Sequence, residues 1–403
     1  MSSTARLKRT LGLPLVVMYG LGNILGAGIY VLIGKVAGFA GTSTTLAFVI
    51  AMITAGFTAF SYMELAGRYP VSASVSVYLH KAFGKRWLSV LIGLMMVAGG
   101  IASAAALSQG FAGYLGSFFD IPSSIASVGL IVGLGIIALK GINESAKTAA
   151  IFTAVEILGL ILVIWAGRNA FSNIEASSLF SIDPAFGVSG LIAGAFLAFY
   201  AFIGFEDMVN ISEETKNPRR TMPLAILLAL IASTALYLSV VIVATNVITP
   251  SELSSSSAPL TLVFQQSGAD YPNILSLIGM IAVVNGVIVQ IIMCSRILYG
   301  LAKQGWLSNH LSVVHPKHKT PVVATLVVLA LMIAGTLIFP LVSLAQITSL
   351  LILSIFSLVN ISLIVIKRRK TKNTGYITVP IIVPYIGALL CCATICYQIF
   401  SWI

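Results

Sequence analysis

Charge is scarce in this chain: Asp, Glu, Lys and Arg together make up 9% of its 403 residues, where soluble domains carry roughly 25%. That scarcity excludes a water-solvated surface, and with it the ordinary soluble enzyme or nucleic-acid-binding module. Cysteine is scarce as well. Cys294, Cys391, Cys392 and Cys396 all fall inside apolar stretches, where a thiol packs as a small hydrophobe, so no disulfide framework is implied. His310, His315 and His318 share one loop without a cysteine or carboxylate at a ligand spacing, which argues against a metal site. Neither an H-E-x-x-H zinc pattern nor a G-x-S-x-G nucleophile pattern occurs, so an intramembrane enzyme would lack its catalytic groups and no cofactor is expected.

What the chain does have is apolar length. Hydrophobic residues reach 58%, and uninterrupted runs of about 20 residues, each long enough to cross a ~30 Å hydrocarbon core as a helix, recur from end to end. These runs place spans at residues 13–37, 44–66, 87–119, 122–140, 148–167, 186–211, 222–248, 273–302, 321–339, 341–366 and 377–402. The expected fold is an all-α integral membrane protein of about eleven transmembrane helices. The first run follows Arg6, Lys8 and Arg9 as a signal peptide would, but it is too long and lacks a small-residue cleavage site, so it reads as a retained span.

The formal charge of +11 raises the question of nucleic acid, and the positions of the basic residues answer it. Arg68, Lys81, Lys85 and Arg86 follow span two; Lys140 and Lys147 follow span four; Lys216, Arg219 and Arg220 follow span six. The same face receives Lys303, Lys317, Lys319 and the run from Lys367 to Lys372, while the opposite loops hold little beyond Arg168. Such alternation is the positive-inside rule. It predicts a multi-pass protein of the plasma membrane with a cytoplasmic N-terminus and, after eleven spans, an external C-terminus. The basic excess is topology, helped by anionic lipid headgroups, and no nucleic-acid partner is implied.

Two spans carry residues that a simple anchor would avoid. Span one contains Gly20-Leu-Gly-Asn-Ile-Leu-Gly-Ala-Gly28 at mid-depth. A glycine in a helix interior costs about 1 kcal/mol against alanine, and any backbone group freed in hydrocarbon must find a partner. Close packing through small residues is one reading; an unwound stretch whose backbone binds a ligand is the other. Span six reads Phe199-Tyr-Ala-Phe-Ile-Gly-Phe-Glu-Asp207, a mid-span glycine followed at once by two acids. Carboxylates at that depth are costly and point to a functional site. Even if they only cap a new half-helix, the helix is broken.

Spans one and six are five apart, as expected if residues 1–167 and 186–366 form two inverted repeats of five spans, with 377–402 an extra C-terminal helix of one transmembrane domain. Span one then runs outward and span six inward. The second half of each broken helix aims its N-terminus at the midplane and the first half aims carbonyls there. Donors for an anion beside acceptors for a cation suit a zwitterion, which is the arrangement of LeuT-like transporters.

Four ordered motifs carry a family resemblance. Gly22-Asn-Ile-Leu-Gly-Ala-Gly-Ile-Tyr30, Tyr62-Met-Glu-Leu-Ala66 with Tyr69-Pro70, Gly204-Phe-Glu206 through Glu213-Glu-Thr-Lys-Asn-Pro-Arg219, and Ser295-Arg-Ile-Leu-Tyr299 with Gln304-Gly-Trp-Leu307 resemble the amino acid-polyamine-organocation permeases. The resemblance implies a LeuT-like fold with a 5+5 inverted repeat and broken helices one and six. It also implies an alternating-access secondary transporter of amino acids, coupled to a proton or to an exchanged amino acid. It implies that N–H groups around Gly26, Ala27 and Gly28 hold the substrate carboxylate and that carbonyls of Ile24, Tyr200 and Ile203 hold its amino group. Tyr200 matches an aromatic gate, and Glu206 a glutamate that links the two broken helices.

The chain departs from the family pattern in three places. Ser72-Ala-Ser-Val-Ser76 replaces a usual glycine pair, a twelfth span is missing, and Glu156 stands where several proton-coupled members have a lysine. A glutamate there could hold a proton or an alkali cation in the lysine's stead. Span three offers no carboxylate for a cationic side chain, so the sequence leans toward neutral amino acids. A membrane amino-acid sensor could use the same pocket without transport, although no cytoplasmic stretch is long enough for a signalling domain.

Overall fold

The computed structural model describes residues 9–71, 74–140, 146–173, 180–318, 320–369 and 375–402. Arg6, Lys8, Ser72, Ala73, Lys319 and Lys370 to Lys372, all named above, lie outside the described residues, as does the side chain of Lys147.

Leu13–Leu25 and Ala27–Ala40 together form the first span, and Thr44–Arg68, Arg86–Leu115, Ser123–Lys140 and Ala146–Ala166 complete the first five. The sixth is composite: helix Gly187–Ala198, then the 3-10 segments Phe199–Phe202 and Phe205–Glu214. Pro218–Val247, Asn273–Lys303, Val322–Ile338, Leu341–Arg368 and Ile382–Trp402 follow. Eleven apolar helical spans are thus present among the described residues, joined by helices that the apolar runs did not reveal: Ser74–Phe83, Pro250–Ser255 and Pro259–Gln266. Pro250–Ser255 opens on a capping box, the Thr249 side chain accepting from the Glu252 N–H while the Glu252 carboxylate accepts from the Thr249 N–H. The Thr-Pro-Ser-Glu spelling announces it.

Neighbour relations repeat with an offset of five. Span one packs on spans five and seven, and span six on ten and two; span three packs on four, nine and ten, and span eight on nine, four and five. The pairs one with six, two with seven, three with eight and four with nine map onto themselves. The eleventh span lies outside this scheme, against spans ten and two. Its seat is polar. Asn360 of span ten accepts from Ser61 Oγ at 2.6 Å and donates to Thr58 Oγ1 and the Phe356 carbonyl, both at 2.9 Å. Gly387 lies over that amide so closely that a Cβ would fall 2.7 Å from Asn360 Oδ1.

On the face that gathers the basic loops, Glu64 is fully buried and doubly paired. Its Oε1 meets Arg68 at 3.0 Å, and its Oε2 meets Lys367 Nζ at 2.5 Å and the Val379 N–H at 2.8 Å. One carboxylate therefore ties the end of span two to the end of span ten and to the strap leading into span eleven. A bridge from Leu11 to Thr215 adds a second tie, joining the N-terminal segment to the end of span six. On the opposite face Asp183 accepts from the Thr42 N–H at 2.8 Å, Thr42 Oγ1 at 3.0 Å and the Ala185 N–H at 2.9 Å. Those donors hold its carboxyl below the ordinary aspartate value. Nearby, Lys35 of span one donates to the Ser254 carbonyl at 2.6 Å and pins the short helix Pro250–Ser255 onto the first span.

Candidate functional site

Each break has a local cause. In span one the backbone leaves helical geometry at Gly26, with φ −35° and ψ −163°. The Gly26 N–H still closes the first half-helix on the Gly22 carbonyl at 3.2 Å, and a new helix begins at Ala27. The N–H groups of a first helical turn have no acceptor within their own helix, so Ala27 and Gly28 present donors at the break. Of the three N–H groups expected to hold a carboxylate, Gly26's is thus already engaged. In span six Ile203 is extended and Gly204 sits at φ +130°, a conformation that L side chains rarely adopt. The Gly204 N–H donates to Glu206 Oε2 at 2.8 Å, so Glu206 fastens the break from within its own segment.

The two breaks interlock. A Cβ on Gly204 would lie 2.4 Å from the Asn23 carbonyl oxygen and 2.9 Å from Ile24 N; a Cβ on Gly28 would lie 2.8 Å from Ala201 Cα. Backbone meets backbone at both points, so these two glycines serve packing as well as any ligand. The Ile24 carbonyl, an expected acceptor for an amino group, already takes the Tyr237 hydroxyl, leaving it one lone pair.

Beside this junction lies a small cavity of about 50 Å³. Ile24, Gly26, Gly28, Tyr200 and Ile203 line it, joined by Gly22, Asn23, Gly204 and Asp207 from the broken spans, Ser103 and Leu107 from span three, and Asn285, Gly286, Val289 and Gln290 from span eight. Five of the six substrate-contacting positions expected from sequence therefore share one wall, and Ala27 adjoins them as the first residue of the second half-helix. Tyr200 is held by its hydroxyl, 2.7 Å from Ser103 Oγ and 3.3 Å from the Ser103 carbonyl.

Glu156 and Glu206, the acids expected to serve coupling and to link the broken helices, are not among the lining residues. Glu206 is turned onto Gly204. Glu156, fully buried in span five, stands behind Asn285, whose Nδ2 donates to Glu156 Oε1 at 3.1 Å; Glu156 Oε2 is buried without a hydrogen-bond partner among the described residues. Arg296, the basic residue of span eight nearest to Asn285 in sequence, is exposed and lines a separate recess with Tyr299 and Pro321, so Glu156 is bonded to Asn285 and not to Arg296. Hydroxyls tie the Glu156 backbone into the same network: Tyr30 donates to its carbonyl at 2.6 Å and Tyr114 to the Tyr30 carbonyl at 2.5 Å.

Sequence reasoning passed over Asp207, Ser103, Asn285 and Gln290. The signal available was polarity at mid-span in otherwise apolar helices, weak for serine and stronger for Asn285 and Gln290. Asp207 was visible as the second acid of the break but had no assigned face. Asn23 Nδ2, Asn285 Oδ1 and Gln290 Oε1 are buried without partners among the described residues, three polar atoms on three lining residues.

Comparison with known proteins matches residues 11–402 to the amino acid permease family. The branched-chain amino acid permease BcaP of Bacillus subtilis is 30% identical over 398 residues, covering 92% of this chain and 83% of that protein. The methylthioribose transporter of the same organism is 26% identical, covering 97% of this chain and 88% of the relative. The vacuolar cationic amino acid transporter 2 of Arabidopsis thaliana is 31% identical over 90% of this chain, which spans 60% of that relative's length.

Proposed function

This chain belongs to the amino acid permease family, and we propose that it is a secondary transporter that carries an amino acid across the plasma membrane by alternating access, with its N-terminus in the cytoplasm. The observation that carries the proposal is the interlock of two broken spans, Gly204 on Asn23 and Ile24, Gly28 on Ala201, beside a cavity that both spans line. A membrane anchor gains nothing from breaking two helices in hydrocarbon, whereas half-helix ends at a repeat interface form a substrate and ion site. The neighbour pattern with its offset of five supports two inverted repeats, residues 1–167 and 186–366, with residues 377–402 added outside them.

In this reading the Ala27 and Gly28 N–H groups receive the substrate carboxylate, and the Ile24, Tyr200 and Ile203 carbonyls its ammonium group, with Tyr200 held over the cavity by Ser103. The partner of transport is a proton or a second amino acid moving in exchange. Glu156 serves coupling: its unpartnered Oε2 can accept a proton, and Asn285, bonded to Oε1 and lining the cavity, links that event to the substrate. Glu206 serves gating by holding the break of span six. The sequence leans toward neutral substrates because span three lacks an acid; Asp207 of span six, which lines the cavity, favours a cationic substrate instead.

Uptake of radiolabelled amino acids into proteoliposomes, with and without an imposed pH gradient, tests the proposal. No uptake or exchange of any amino acid would overturn it. Glu156→Gln is expected to keep substrate exchange and lose accumulation driven by the gradient, and accumulation at the unmodified level would remove Glu156 from coupling.

A further inference from the structure

A zwitterion accounts for part of the cavity wall and leaves the rest over. Its carboxylate uses the N–H groups at the start of the second half of span one, and its ammonium uses carbonyls at the breaks. Three acceptors then remain: the Asp207 carboxylate, Asn285 Oδ1 and Gln290 Oε1, the last two without partners among the described residues. Asn23 Nδ2, an unpartnered donor, lies on span one with the carboxylate's donors. Among the described residues that line the cavity there is no Lys, Arg or His.

Asp207 invites a blander explanation, because acids in a first helical turn commonly cap it. Glu206 does that work here, accepting from the Gly204 N–H at 2.8 Å, while the Asp207 carboxylate receives no hydrogen bond from any described residue. Asp207 is 7% exposed among packed helices and is one of the residues lining the cavity. Asn285 across the cavity is 5% exposed. A wall of one carboxylate and two amide oxygens, all buried, is expensive against an apolar side chain, which would leave each acceptor desolvated and unpaired at about 1–3 kcal/mol apiece. A cationic side chain bearing N–H donors satisfies all three and neutralises the charge.

Resting on the amino acid transport reading above, we infer that Asp207, with Gln290 and Asn285, receives a positively charged side chain, so that the substrates are cationic amino acids in preference to neutral ones of the same size. Asp207 is then the specificity-determining residue of the site.

The test compares lysine with norleucine, and arginine with citrulline, in proteoliposomes. Each pair shares a backbone and near-equal side-chain length and differs in the terminal charge. The unmodified protein is expected to take up lysine with an efficiency about tenfold or more above norleucine, the worth of one hydrogen bond to a charged group. Asp207→Asn is expected to reduce the lysine-to-norleucine ratio by a similar factor, and Gln290→Leu to reduce it in the same direction. A preference of the unmodified protein for norleucine over lysine overturns the inference without any variant having to fold. A ratio unchanged by Asp207→Asn also overturns it, including the case in which both substrates weaken equally because the carboxylate meets the α-ammonium. Transport of neutral amino acids alone would leave the amino acid reading standing and sink this inference, whereas transport of no amino acid would sink both.

Discussion

Gly204→Ala is the most severe single-methyl change that the site allows, and its cost can be built from two parts. At φ +130° an L residue is strained, worth about 1–3 kcal/mol. The new Cβ would lie 2.4 Å from the Asn23 oxygen, 2.5 Å from the Asn23 carbonyl carbon and 2.9 Å from Ile24 N. All three are backbone atoms of the opposing break, which cannot rotate away as a side-chain tip could, so overpacking adds about 1–3 kcal/mol. The sum, about 2–6 kcal/mol, is a large share of a typical stability of about 5–15 kcal/mol. Gly28→Ala meets Ala201 Cα at 2.8 Å without a positive φ and is expected to cost only the overpacking part. Gly133→Ala in span four, where no atom lies within 4 Å, is the control and is expected to be neutral or slightly stabilising. Thermal unfolding of the purified proteins in detergent, followed by intrinsic fluorescence, should rank them Gly133→Ala, then Gly28→Ala, then Gly204→Ala, with uptake falling in the same order. A Gly204→Ala protein that melts with the unmodified one and transports normally would refute the interlock. The same geometry means that Gly28→Leu cannot isolate binding from folding, as a ligand-only role for that glycine would require.

Tyr200→Phe removes a hydroxyl that bonds Ser103, so it is expected to weaken substrate binding about fivefold, from about 1 kcal/mol, with Tyr200→Ala worse for every substrate; equal affinities for all three would take Tyr200 out of the site. Lys367→Met leaves Glu64 buried with Arg68 as its remaining cation and is expected to destabilise the protein by about 1.5–3 kcal/mol, read as a loss of unfolding temperature, while Glu64→Gln with Lys367→Met together should recover part of it. Asp183, its carboxyl held below the ordinary value, contributes stability in full above about pH 4 and loses it as pH falls through the depressed value. Unfolding temperatures of Asp183→Asn and the unmodified protein should therefore differ at pH 7 and converge in acid, and a gap that widens on acidification would contradict the sign.

Length and hydropathy determined most of this fold, because a helix in hydrocarbon must satisfy its own backbone and therefore writes itself as a continuous apolar run. The eleven spans follow directly from those runs. The breaks were legible for the same reason inverted: Gly26, Gly28, Gly204 and the acids after it are residues that a continuous helix in lipid would not keep. Helices Ser74–Phe83 and Pro259–Gln266 escaped notice because they are short and lie outside the runs. The site was legible only where composition marked it. That Glu206 turns back onto Gly204 while its neighbour Asp207 lines the cavity depends on the left-handed turn at Gly204 and the 3-10 path after it, which set the faces of two adjacent acids. That Glu156 finds Asn285, 129 residues away in sequence, rather than Arg296 depends on how span five packs on span eight. Sequence determined that polar groups sit inside the membrane; only the packing of one span on another decided which of them meet each other and which are left facing a ligand.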